Sequence, residues 1–299
     1  MSNLDELAPY RLFSQQGLAL HLLPGEEFAP FAEEIGRLRE STYREQLAGS
    51  GQACDLDSRD PHYDHFLLLD ESSGELAGAA RLQFVPRRSH DESASAIPTG
   101  RESYLEHVYP GIKALLAQEA NSMEIGRVAL APRFQRQPHS LMCLFRGALQ
   151  VAVGSGYNSI HGLVSYNHFS FSEPTNTHFL SSLLRPPFLG STRTTPPARY
   201  PAASIKPTQT PGSAVTIQQL EKDIRTGLDK NFRLPILLRQ YINLMNAQVN
   251  NLSIAKDFNQ ITEILMTGDL KRLPPGRLEN FVGFTHRPVY RQFPWYRGG

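Results

Sequence analysis

The chain has 299 residues, 40% of them apolar and 20% charged, enough for one large α/β domain, alone or with an appendage, around a sizeable core. Its formal charge of +1 gives no global reason to expect nucleic acid as a partner. Two cysteines, Cys54 and Cys143, are too few for a disulfide framework and too far apart for a zinc motif. The opening MSNLDELAPYRLF is acidic where a secretory signal is basic, and no stretch reaches the roughly 18 apolar residues of a membrane span. The expectation is a cytoplasmic protein, peripheral at the inner membrane face if it handles lipid.

Ile35, Leu38, Thr42, Tyr43 and Leu47 fall at helical spacing in EEIGRLRESTYREQL, which predicts a helix of about four turns with Arg39 and Tyr43 one turn apart. SGQACDLDSRDPHYD reads as a loop. HFLLLD and LAGAARLQFV, flanking the turn-like ESSGE, predict a buried hairpin. Residues 86 to 103 read as a polar loop, 104 to 120 as weakly helical, and EIGRVALAP, 124 to 132, as a strand closed by proline. Leu141, Leu144, Phe145, Ala148, Leu149 and Ala152 keep one helical face that ends at Gly154 and Gly156. With the strand NSIHGLV after it, this makes a βαβ unit, hence parallel strands and a right-handed crossover.

Residues 185 to 212 carry prolines at 186, 187, 196, 197, 201, 207 and 211, which predicts extended chain, with AASIK as an edge strand. Two helices follow, one on Ile217, Leu220, Ile224 and Leu228, the other in LPILLRQYINLMNA with Pro235 in its first turn. The tail beyond Pro274 mixes aromatics with arginine and shows no period.

Three polar clusters interrupt this pattern: Arg39 with Tyr43; Asp55, Asp57 and Asp60 followed by Arg81; and Glu124 with Arg127. Singly, each fits a solvated face or a structural ion network. On a regular strand residues three apart point to opposite sides, so Glu124 and Arg127 share a site only across a bulge. Together, the order R-x-x-x-Y, D-x-D-x-x-D, an Arg after GAA, then E-x-x-R is far more specific than its parts. His62 and His65 form an H-x-x-H without a third ligand in sight, so no metal is expected.

IGRLRESTYRE, DLDSRDPHYDHFLLLD, GELAGAARL, EIGRVALAPRFQRQ and GLVSYNHFS resemble the bacterial hemolysin-like GNAT N-acyltransferases that make ornithine and glycine lipids. LPILLRQYINLMNAQVNNLSIAKDFNQITEILM is similar to their terminal segment, a proline-led helix followed by a D-F pair and a strand-like run, so the resemblance covers roughly residues 30 to 275. The same polar residues at similar spacing occur in N-acyl-homoserine lactone synthases. The resemblance implies a GNAT-like α/β fold: a mixed central sheet flanked by helices over residues 10–208, a C-terminal helical extension packed on that core over 209–275, and a tail, 276–299. It also implies an enzyme that moves a long-chain acyl group, 3-hydroxylated or not, from acyl carrier protein to the α-amine of an amino acid, ornithine or glycine.

Carried over residue by residue, the resemblance makes Glu124 the general base, on a strand shared with Arg127. The acceptor carboxylate would be held by Arg39, Arg81 or Arg127, which can at the same time brace Asp55, Asp57 and Asp60 over the acceptor pocket, so a mixed role is expected. Tyr166 is a candidate to protonate the leaving thiolate, with packing as the alternative. The backbone from Val128 to Leu130 would meet the thioester oxygen at a bulge. Gln135 to Ser140 stands where coenzyme-A enzymes cradle pyrophosphate, yet Pro138 lacks an N–H and no glycine is present. Arg133, Arg136 and Ser140 would suit the single phosphodiester of acyl-phosphopantetheine, a donor substrate rather than a permanently bound cofactor. The expected partners are acyl carrier protein and a small amino-acid acceptor, not nucleic acid. The basic stretch from Arg185 to Leu220, or the tail with Phe293, Trp295, Tyr296 and Arg297, would touch the carrier or a membrane surface. Two alternatives stay open: a homoserine-lactone type of synthase that uses S-adenosylmethionine, and a catalytically silent module that binds acyl carrier protein or lipid.

Overall fold

The computed structural model describes residues 4–85, 103–119, 121–190, 195–202 and 216–282. In chain order the elements are α1 (Leu4–Leu7), β1 (Arg11–Gln15), β2 (Leu18–Leu23), α2 (Ala32–Glu45), β3 (Asp64–Asp70), β4 (Leu76–Val85), α3 (Tyr104–Val108), α4 (Ile112–Glu119), β5 (Ser122–Leu130), α5 (Pro132–Gln135) and α6 (Pro138–Gly154). Then come β6 (Ser159–Tyr166), α7 (Glu173–Leu183), α8 (Ile217–Gly227), α9 (Ile236–Met245), β7 (Gln248–Ile254), β8 (Thr262–Asp269) and α10 (Pro275–Val282). One eight-stranded sheet runs β1-β2-β3-β4-β5-β6-β8-β7.

The expected hairpin is β3–β4, and the expected βαβ unit is β5–α6–β6, whose strands pair in parallel. Leu141, Leu144, Phe145, Ala148, Leu149 and Ala152 of α6 are all buried, as their spacing requires. β3 alternates in the same way. His65 turns toward Arg39 on α2, while Phe66 turns toward Gly147 on α6, so the two helices cover opposite faces of the sheet.

β1 and β2 have no counterpart in the sequence reading; they join through Gln16 and Gly17, both at positive φ. The segment expected as a helical extension supplies α8 and α9, but also β7 and β8. β8 pairs with β6 along its whole length, from Ser159↔Asp269 to Tyr166↔Thr262, so the sheet continues past residue 208. Pro235 caps α9 from just outside its first turn. Most of AASIK and residues 86–102 lie outside the described residues, as do Phe293, Trp295, Tyr296 and Arg297. Among the described residues no helix is long and apolar enough to cross a membrane.

Candidate active site

Two irregularities in β5 shape the site. Ala79 pairs with Ala129 and Arg81 with Gly126, so Arg127 and Val128 together oppose the single residue Ala80. This is a β-bulge, and Arg127 sits in it at φ +51. The bulge shifts the side-chain alternation by one residue, and Glu124 and Arg127 line one cavity. β5 and β6, moreover, pair only from Ser122↔Ser159 to Glu124↔His161. Beyond that pair the strands part, and β6 keeps its hydrogen bonds to β8 alone.

A cavity of about 370 Å³ occupies this split and reaches both sides of the sheet. On the α2 side it is lined by Tyr43, Tyr104, Glu124, Arg127, Phe258 and Glu263. On the α6 side the lining is mostly apolar: Val164, Phe171, Ile236, Leu237 and the ring of Tyr241. Arg81, Val128 and Tyr166 also border it; Leu130, Arg133, Arg136 and Ser140 do not.

The acidic triplet converges with the arginines, but mainly as a brace. Asp60 Oδ1 accepts hydrogen bonds from Arg39 Nη1 at 2.7 Å and Arg81 Nη1 at 2.8 Å, and all three side chains are buried. Asp60 Oδ2 accepts the Asp57 N–H, which fixes the loop, and Asp57 in turn accepts from Arg81 at 3.1 Å. Arg39 and Arg81 are thus spent on Asp60 and Asp57, with no exposed face for an acceptor carboxylate. Of the two roles expected together, acceptor binding and bracing, the structure shows these two arginines bracing. Arg127, the most exposed of the three, sits 3.1 Å from Asp55 Oδ2 and 3.4 Å from Asp57 Oδ2, with its guanidinium over the Phe258 and Tyr104 rings. Against the upward push of burial, Arg39 and Arg81 hold Asp60 well below the usual carboxylate range and Arg81 and Arg127 hold Asp57 down more mildly, whereas burial raises Asp55.

His65 joins this network. Its Nδ1 lies 3.3 Å from Arg39 Nη2 and its Nε2 lies 2.9 Å from the Asp60 carbonyl oxygen, which fits a ring protonated on Nε2 alone. Burial and the Arg39 charge push its pKa down to about 4.

Glu124 is 6% exposed. Its Oε1 accepts the Tyr63 hydroxyl at 2.8 Å and the Leu105 N–H at 3.2 Å. The Tyr63 hydroxyl itself accepts the Tyr104 N–H at 2.7 Å, and the Tyr63 ring lies under the Arg81 guanidinium at 4.4 Å. The brace, the start of α3 and Glu124 are therefore one connected unit.

The sequence reading missed Glu263. On β8 it is buried, and it accepts the Tyr104 hydroxyl at 2.9 Å and the Ser253 hydroxyl at 3.3 Å. Burial raises its pKa to about 7. The only sequence signal is one acid inside the apolar run ITEILM.

These shifts set opposed pH dependences. Glu263 binds more protons folded than unfolded between its ordinary 4.5 and about 7, so its contribution falls as pH rises through that window. His65 binds fewer protons folded than unfolded between about 4 and its ordinary 6.5, so its contribution grows with pH there. Glu263→Gln is therefore expected to stabilise the protein by roughly 2–3 kcal/mol at pH 8. The gain should vanish near pH 4.5, where the carboxyl is neutral, and urea unfolding at the two pH values reads the difference.

Tyr166 does not fit the role of a free proton donor. Its hydroxyl donates to Asn176 Oδ1 at 2.6 Å and its ring packs on Phe171 and Phe179, which is the packing alternative. Arg133 pairs with Asp70 and Glu75 across the β3–β4 turn, because α5 sits beside that hairpin. The Ser140 hydroxyl is buried in the first turn of α6 and has no partner among the described residues, and Arg136 is exposed there. Among the described residues no group of three or more His, Cys, Asp or Glu side chains is placed to hold a metal ion.

No curated protein matches the chain. Among solved structures it is similar to TofI in a ternary complex with an inhibitor and MTA (15% identity, 87% of this chain and 96% of that one, TM-score 0.42). It is also similar to FeeM, an N-acyl amino acid synthase from uncultured soil microbes (13%, 85% and 92%, TM-score 0.41). A third is BjaI, a CoA-dependent acyl-homoserine lactone synthase, with SAM and isopentyl-CoA (12%, 90% and 92%, TM-score 0.44). Residues 38–145, from the middle of α2 to the middle of α6, match the family model of the acetyltransferase (GNAT) domain. That span holds the whole brace, the bulge and Glu124, so the fold is GNAT-like and the candidate site lies in the segment that matches the acetyltransferase domain.

Proposed function

We propose that the chain transfers a long-chain fatty acyl group from the phosphopantetheine thioester of acyl carrier protein to the α-amine of an amino acid, with ornithine and glycine as the first acceptors to test. The observation that carries this reading is the cavity through the β5–β6 split, polar and charged on one side and mostly apolar on the other. An acylated thiol needs both. Its chain is stabilised against apolar side chains, while its carbonyl must meet a nucleophile beside a group that removes a proton.

An amino acid's amine is mostly protonated near neutral pH and must lose a proton to attack. Glu124 stands on the polar side for that step, directly or through one water, and the Tyr63 and Leu105 hydrogen bonds fix its orientation. Arg127 is the guanidinium left to hold the acceptor carboxylate, oriented by Asp55 and Asp57. The oxygen of the attacked carbonyl develops negative charge, and the backbone at the bulge, Arg127 to Val128, faces the split where β5 has lost its β6 partner. The start of α6 favours a carrier-borne arm with one phosphodiester over a pyrophosphate: Pro138 removes one N–H and no glycine lets a phosphate approach the backbone.

The test is to incubate the purified protein with long-chain acyl carrier protein and a panel of amino acids, and to identify products by mass. An N-acyl amino acid is the expected result. Lactone formed only with S-adenosylmethionine would support the synthase alternative, and acyl-carrier binding without any product would support a silent module.

A further inference from the structure

The cavity runs from the fork at Ile125 and Gly162, the first residues past the last β5–β6 pair, to an opening on the α6 side, where Arg233 and Ile236 line it and are themselves exposed. The rim of that opening is the loop between α8 and α9. The Leu228 and Asp229 N–H groups both donate to the Ile224 carbonyl, which folds the loop back on the end of α8. The buried Phe232 ring anchors it against Phe171 and Phe179, at 5.0 and 5.2 Å between ring centroids.

Three cations meet on this loop. The Lys230 carbonyl oxygen accepts from Arg225 Nε at 3.4 Å and from Arg233 Nη1 at 3.3 Å, so both guanidiniums lie against the residue that carries the Lys230 ammonium. All three side chains are exposed, and none of them forms an ion pair among the described residues. Asp229 is turned to the Asn231 N–H at 2.8 Å, and Glu221 is held by Arg239 Nη2 at 2.7 Å and by the Leu234 N–H. An open groove of about 340 Å³ extends this surface along α8; Lys222, Arg225 and Lys230 line it with Glu221, and Asp223 does not. A carbonyl oxygen supplies only a partial negative charge, so two guanidiniums and an ammonium gathered around one leave a positive site. An anion with several oxygens can take a pair of N–H groups from each arginine.

We propose that Arg225, Lys230 and Arg233 hold the phosphate of the donor's phosphopantetheine arm as it enters the cavity past Arg233 and Ile236. This rests on the acyl-transfer reading above. It moves the phosphate contact away from the start of α6, where Arg133 is paired with Asp70 and Glu75 and neither Arg136 nor Ser140 borders the cavity. The chemistry of the arm suits that path: the phosphate is its one charged group, and the remainder is an uncharged chain that can run inward along the mostly apolar α6 side to the thioester.

The test uses the full chain and donors that share one acyl group: acyl-phosphopantetheine, acyl-pantetheine, acyl carrier protein and acyl-CoA. The wild-type KM for acyl-phosphopantetheine is expected to lie about tenfold or more below that for acyl-pantetheine, the scale of one charge-assisted hydrogen bond. In the double variant Arg225→Gln/Arg233→Gln that advantage should fall below about threefold, while kcat/KM for acyl-pantetheine changes less than about twofold. The variant should lose a similar factor with the source of the arm, which is the faster of acyl carrier protein and acyl-CoA in the wild-type protein. No wild-type advantage for the phosphorylated arm, or an advantage that survives the double substitution, would overturn the proposal. So would an equal loss with acyl-pantetheine, which would make the cluster structural, or a loss confined to acyl carrier protein, which would assign it to the carrier's own surface. Wild-type protein that forms no amide from any of the four donors would instead overturn the acyl-transfer reading, and this inference with it.

Discussion

Glu124→Gln is expected to keep the fold and to lose roughly 10²- to 10⁴-fold of the acyl-transfer rate near neutral pH. The amide oxygen of Gln can still accept the Tyr63 hydroxyl and the Leu105 N–H, so the start of α3 keeps its anchor. The second carboxylate oxygen becomes an NH2 group, which cannot take a proton. The loss should shrink as pH rises and more of the acceptor amine is already neutral, whereas a loss from damaged structure would not. Near-wild-type turnover at pH 7 would remove Glu124 from the role of base.

Asp60→Ala is expected to cost about 3–5 kcal/mol of stability. The substitution leaves the Arg39 and Arg81 guanidiniums, both buried and both now bonded to one carboxylate oxygen, without their shared anion. It also frees the Asp57 N–H, and so the loop whose Asp55 and Asp57 orient Arg127. Urea unfolding of the variant measures the loss; a change below about 1 kcal/mol would show that the network is not a brace. Arg39→Lys belongs with this effect, because Arg39 has no exposed face: its consequence should appear in stability before it appears in the acceptor KM.

What the sequence made legible follows from periodicity. α6 was readable because six apolar residues keep a single helical face, and all of them are buried. The composite of Arg39, the acidic triplet, Arg81, Glu124 and Arg127 could be read as one cluster, although not which arginine stays within reach of a ligand. That depends on depth, and depth is set by how α2 lies on β4 and β5. The bulge was illegible because a positive φ at Arg127, a residue with a Cβ, is imposed by the neighbouring strands and not by its own preference. β1–β2 escaped because Gln16-Gly17 makes their turn instead of a recognisable Asn-Gly. β8 was legible only as the strand-like run of the family resemblance, because a strand buried on both faces is a short apolar run with no alternation. Glu263 was hidden within it.

The most direct measurement is a crystal structure with a non-hydrolysable thioether analogue of acyl-phosphopantetheine. The sulfur is expected at the fork beside Ile125 and Gly162, with the apolar part of the analogue against Val164 and Leu237 and its reacting end facing Glu124. An analogue bound on another surface, with the channel between the parted strands left vacant, would contradict the account.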